Sequence, residues 1–159
     1  DKEVIVVLFG NTPHNASSSK FEMTKQDLIG NVSLIIRALS LSTSDTVVIC
    51  KFHPSVSNPL LHFKEICDAS ALNSQNLNQI YLWNEHVQDS FVMLPVELIW
   101  FYYDVQYLLC EHSAAGYTTR EFPSKTEFHL SIFGNRNDER LKSQLKLLQR
   151  RLNAEIYYR

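Results

Sequence analysis

The run from Glu3 to Gly10 (EVIVVLFG) is an unbroken apolar series closed by glycine. A strand with one wet face alternates apolar and polar residues; one with no alternation must be covered on both faces, as in a parallel sheet. That requirement constrains the chain more than any other feature. It calls for layers of helix above and below, and the following sequence supplies them. After a polar loop, Asn11 to Lys20 (NTPHNASSSK), the period changes. Leu28, Ile29, Val32, Ile35, Ile36 and Leu39 recur at three- and four-residue steps, the stripe of an amphipathic helix. Thr24 is placed to cap it, and Asp27 falls in the first turn, where the helix dipole favours an acid.

The alternation continues. Thr46 to Lys51 (TVVICK) reads as a second strand stopped by His53-Pro54, and Leu60 to Cys67 as a short helix. Asn73 to Asn78 is a polar connector, and Ile80 to Trp83 a third strand. Pro95 suits the first position of a helix through Val96, Glu97, Leu98 and Phe101. Val105 to Cys110 (VQYLLC) is a fourth strand, Ser113 opens a small-residue turn, and Phe128 to Phe133 (FHLSIF) is a fifth strand. Asn137 then caps a last helix with Leu141, Leu145, Leu148 and Leu152 on one face. Strands alternating with helices predict a Rossmann-like, doubly wound parallel sheet in three α/β/α layers. With 159 residues and no shift in composition, residues 1–159 form one domain. An opening without Met that runs at once into a buried-type strand reads as an excised or processed piece.

Charge narrows the function. With 15 Lys+Arg against 17 Asp+Glu the net charge is −2, which argues against a nucleic-acid groove. No apolar run reaches a membrane span, since the longest is interrupted by Glu97 and Asp104. No signal-peptide layout is present, and the odd cysteine count (Cys50, Cys67, Cys110) favours a reducing, cytoplasmic compartment. Association of a longer protein with a membrane stays open. The sequons at Asn15 and Asn31 read as chance matches. The six histidines (His14, His53, His62, His86, His112, His129) lack ligand spacing, so no metal is expected. The aromatic run Trp100 to Tyr103 reads as a helix packed on two sides.

In a sheet of this kind the ligand lies outside the carboxyl ends of the strands. Four segments are expected to meet there: Gly10-Asn11-Thr12, Lys51-Phe52-His53-Pro54, Pro95-Val96-Glu97 and Glu111-His112-Ser113-Ala114. Each suits a nucleotide. Ser113 and the backbone N–H groups after it would accept a phosphate. His53, stiffened by Pro54, would donate to that phosphate or to a departing oxygen. Glu97 offers two acceptors for the hydroxyls of a ribose, Lys51 and its neighbours offer backbone groups to a base edge, and Gly10 admits close approach beside Asn11 and Thr12. Singly, each has a plain structural use, as a strand stop, a helix-dipole acid or an N-cap.

The order Lys51-x-His53-Pro54, then Pro95-x-Glu97, then a turn with Ser113 resembles the donor-binding half of bacterial GT-B glycosyltransferases, above all sialyltransferases and polysialyltransferases. The likeness spans about Val4 to Thr119. Phe52 stands where those families have Gly, and their Ser pair is here His112-Ser113 or Ser113-Ala114. The resemblance implies a CMP-sialic acid donor as substrate, a glycan acceptor, and no separate cofactor or obligatory metal. It implies His53 near the phosphate as the catalytic group, Glu97 on the ribose and Ser113 on the phosphate, with the base and acceptor site in a missing N-terminal domain. Wider capsule-polymer transferases using CDP- or CMP-linked donors share the His-Pro segment. Two other readings compete. A 2H-type phosphoesterase needs two H-x-[ST] motifs, met in letters by His53-Pro54-Ser55 and His129-Leu130-Ser131, although Pro54 breaks the first strand. The third reading is a non-catalytic interaction module on the same fold.

Overall fold

The computed structural model describes residues 2–10, 23–54, 56–83, 96–110, 122–130, 143, 146 and 155–158. Six strands form one sheet: β1 (Val4–Leu8), β2 (Val47–Lys51), β3 (Ile80–Leu82), β4 (Val105–Cys110), β5 (Lys125–Leu130) and β6 (Glu155–Tyr158). Their order is β3-β2-β1-β4-β5-β6, and every pairing is parallel. This is the doubly wound order of the Rossmann-like α/β fold, in which the chain reverses its direction of growth between β1 and β4.

Burial of all five β1 residues follows from layers on both faces. On one face, Ile5, Val7, Phe9, Val48, Cys50 and Leu109 pack with α1 (Lys25–Leu41) and α2 (Pro59–Ala69). On the other, Val4, Val6, Leu8, Ile49, Leu108 and Cys110 pack with Val96 and Ile99. A register shift between β1 and β4 pairs Val4 with Val105 but Ile5 with Tyr107. The skipped residue, Gln106, lets Val105 and Leu108 share the second core despite their odd spacing. The connector expected at Asn73 to Asn78 contains one helical turn, α3 (Ser74–Leu77), capped by the Asn73 side chain.

Four expectations are corrected. The buried stripe of α1 is Asp27, Gly30, Asn31, Leu34, Ile35 and Ala38, whereas Ile29 and Ile36 are exposed. Apolarity alone rotates the helix the wrong way because two of its inward positions are polar. Next, β5 runs Lys125–Leu130, earlier than Phe128 to Phe133, because the charged Glu127 has partners in the interior; 131–133 lie outside the described residues. Strand β6 (EIYY) was not anticipated. Finally, Phe101, Tyr102 and Tyr103 are 72%, 79% and 47% exposed rather than packed on two sides. A 3-10 turn (Val96–Leu98) leads into α4 (Ile99–Tyr102), a helix of a single turn. Only Ile99, with Trp100 beside it, reaches the second core. The last helix lies outside the described residues except at Ser143 and Lys146, both helical and exposed.

Candidate functional site at the carboxyl rim of the sheet

The register aligns three strand ends. Leu8 pairs with Lys51 of β2 on one side and with Cys110 of β4 on the other. The exits Phe9-Gly10 and Phe52-His53-Pro54 therefore leave the sheet side by side, with the exit of β4 adjoining on the far side of β1. This is the rim at which the strand order reverses, the ligand crevice of such sheets.

Along β2 the side chains alternate. Lys51 is buried, and its Nζ donates to the Phe52 carbonyl at 3.4 Å. Its own carbonyl accepts from Phe9 N at 3.0 Å, so that backbone group already belongs to the ladder. Phe52 turns the opposite way, into the first core, its ring 4.7 Å from that of Phe9. The ring standing where the resembling families have Gly thus sits inside the core and does not stand over the rim. His53 is exposed, and its carbonyl accepts from Val56 N at 3.0 Å, closing a turn through Pro54. Pro54 fixes φ in that turn, so the imidazole is presented from a stiff corner.

Gly10 is gripped by a buried side chain. Asn31 Oδ1 accepts from Gly10 N at 2.9 Å, and Asn31 Nδ2 donates to Gly10 O at 3.0 Å. No described glycine has positive φ, so Gly10 is not serving a left-handed turn. The start of α1 is equally self-contained. Asp27 Oδ2 accepts from Thr24 N and Thr24 Oγ1 at 2.9 and 2.8 Å, while Thr24 Oγ1 accepts from Asp27 N at 3.0 Å. This capping box sets a buried carboxylate at the helix N-terminus. A phosphate arriving there would meet an acidic side chain that already caps the helix, so the start of α1 is a poor seat for the anion that this fold often binds.

The other anticipated residues are placed only in part. Glu97 lies in the 3-10 turn, which Val96 and Ile99 anchor to the second core. Asn11, Thr12, Pro95, His112, Ser113 and Ala114 lie outside the described residues. His53 and His129 do not form a pair: β1 and β4 separate their strands, roughly 14 Å at the usual strand spacing. His129 is buried, and it faces Glu127 on its own strand.

Glu127 itself was missed by sequence reasoning. It is fully buried, and Arg37 of α1 binds it bidentately, Nε to Oε2 at 2.9 Å and Nη2 to Oε1 at 2.8 Å. His129 Nε2 lies 3.2 Å from Oε2, and Lys125 Nζ 4.0 Å from Oε1. Burial by itself pushes the Glu127 carboxyl up, but the hydrogen bonds and charges of Arg37 and His129 outweigh it and hold the group below its ordinary range. The available signal was Lys125-x-Glu127-x-His129, a period of two that puts all three on one face of a strand. The cluster joins α1 to β5, and because Phe128 pairs with Cys110 its His129 end lies level with the strand exits. All three cysteines are buried. Burial, then Asp68, pushes the Cys67 thiol up to about 11, and burial followed by Cys67 raises Cys50 well above its usual value. Neither is poised as a nucleophile.

Among the described residues no group of three His, Cys, Asp or Glu could hold a metal, and no helix is long and apolar enough to cross a membrane. No known protein family matches the chain, nor does any curated protein or solved structure. The class defined by these features is a Rossmann-like α/β domain.

Proposed function

We propose that this chain is the donor-binding half of a GT-B glycosyltransferase, transferring from CMP-sialic acid to a glycan acceptor. The observation that carries the reading is the alignment of Lys51 with Leu8 and Cys110. It brings the β2 exit that carries exposed His53 and the β1 exit at Gly10 to one end of the sheet, at the reversal of strand order, where a nucleotide belongs in this fold. The capped α1 terminus favours a mononucleotide whose phosphate sits on the β4 side, near Ser113, over a dinucleotide lying across the first βα turn. In the proposed reaction the acceptor oxygen attacks the anomeric carbon with inversion, and the bond to the CMP phosphate oxygen breaks. His53 and the Ser113 turn stabilise the phosphate charge that develops. Glu97 holds the ribose, and a base from a separate N-terminal domain takes the acceptor proton. The domain alone therefore binds donor nucleotide and turns over nothing.

A thermal-shift panel of CMP, CDP, UDP, GDP and cytidine tests this directly. At a concentration about 100 times its dissociation constant a ligand adds about 2.7 kcal/mol, a shift that is readily seen. CMP is expected to stabilise most, and His53→Ala to abolish transfer in a two-domain enzyme. Absence of any response to cytidine nucleotides sinks the proposal. That outcome would leave the interaction-module reading, which the exposed Phe101, Tyr102 and Tyr103 favour.

A further inference from the structure

We propose that Asn31 is a positioning residue for the nucleotide-binding rim: its carboxamide fixes the direction in which the chain leaves β1, and so sets the affinity of the crevice. The inference rests on the nucleotide-binding reading above. Beyond Phe9 N, which bonds Lys51 O, β1 has run out of strand partners, because β2 turns away at His53 and β4 ends at Cys110. Among the described residues, Gly10 is the first with no strand beside it. Asn31 replaces the missing strand with one side chain, accepting from the Gly10 N–H and donating to its carbonyl.

Every donor on the carboxamide is in use, since Nδ2 also approaches Met23 Sδ at 3.7 Å. Only one orientation is possible, because a flipped amide would set N–H against N–H. Asn31 has no exposure and sits on a stripe otherwise suited to apolar residues. Asn is also a poorer helix former than the Leu34 and Ala38 of that stripe. A residue serving only helix packing would be apolar; the polarity answers to the Gly10 peptide.

The test compares CMP affinity by calorimetry, well below the melting point, in the wild type, Asn31→Ala and Leu34→Ala. Leu34 lies in the first core on the same stripe as Asn31, and its apolar side chain makes no hydrogen bond to Gly10. Asn31→Ala is expected to weaken CMP about tenfold, the equivalent of roughly one hydrogen bond. Leu34→Ala should lose stability yet keep its affinity within about twofold, once the unfolded fraction is allowed for. Should Asn31→Ala fail to fold, the wild type suffices: the Asn31 side-chain NH2 signals and the Gly10 amide should shift during a CMP titration with the midpoint of binding. Wild-type affinity in a folded Asn31→Ala, or silent Asn31 and Gly10 signals while other resonances move, overturns the role of Asn31 and leaves the nucleotide reading intact. A wild type that does not bind CMP removes the nucleotide reading first, and the affinity role with it.

Discussion

Helix α1 is joined to the sheet by two different kinds of contact. Toward β1 and β2 it offers Leu34, Ile35 and Ala38 to Val7, Val48 and Cys50, a close-packed apolar core. Toward β5 it offers Arg37 to a carboxylate with no exposure at all. The apolar contact is non-directional and tolerates exchange of similar volumes. The ionic contact has a required geometry and a cost of desolvation, and it contributes only while both partners are present. Helix α1 is therefore held to β1 and β2 by shape, and to β5 by chemistry.

The largest expected effect comes from taking one ion away. Arg37→Met leaves Glu127 buried with His129 close by and Lys125 at the limit of an ion pair, and should cost about 3–5 kcal/mol in a urea titration. The double variant Arg37→Met/Glu127→Leu removes both charges and should recover to within about 1–2 kcal/mol of the wild type. A double variant no more stable than Arg37→Met would show that the network does more than join α1 to β5. Leu34→Ala, in the apolar half, should cost about 3 kcal/mol through lost burial and a residual cavity. Because that contact is made of many weak pieces, Leu34→Met should cost less than about 1.5 kcal/mol. Equal losses for the two substitutions would contradict the description of this half as held by shape.

The same contrast explains what could be read from sequence. An unbroken apolar run has one interpretation, so β1, β2 and β4 were legible almost to the residue, and their alternation with helices gave the fold class. The polar residues of the interior were not. Asp27 and Asn31 face inward on α1 because a cap and a backbone peptide meet them there, and no periodicity of apolar residues can show that. Glu127 falls just before the expected fifth strand, and its partner Arg37 lies far away in the chain, so that only the fold unites them. At the rim, alternation along β2 predicts opposite faces for Lys51 and Phe52, while the exposure of His53 follows from the turn that Pro54 imposes. The exposed Phe101 and Tyr102 show the opposite failure. Aromatic content suggested packing, but a single turn of helix cannot bury residues on every side.

The smallest effect expected is the dependence on acid. The carboxyl of Glu127 is held below its ordinary range in the folded chain and returns to about 4.5 on unfolding. The folded state therefore binds fewer protons than the unfolded state in that window, and stability rises with pH through it. The contribution is complete above about pH 4.5 and is lost as pH falls through the folded value. Nothing from this group changes between pH 6 and 8. Other carboxylates titrate in the same range, so the comparison that isolates Glu127 is between the wild type and Arg37→Met/Glu127→Leu. Melting temperatures measured from pH 6 down to pH 3 should fall more steeply in the wild type than in the double variant. The apolar half offers no such handle: Leu34→Ala should lower the whole profile without changing its slope. Parallel profiles for the wild type and the double variant would mean that Glu127 binds protons alike in the folded and unfolded chains, so that Arg37 and His129 would not favour its charged form.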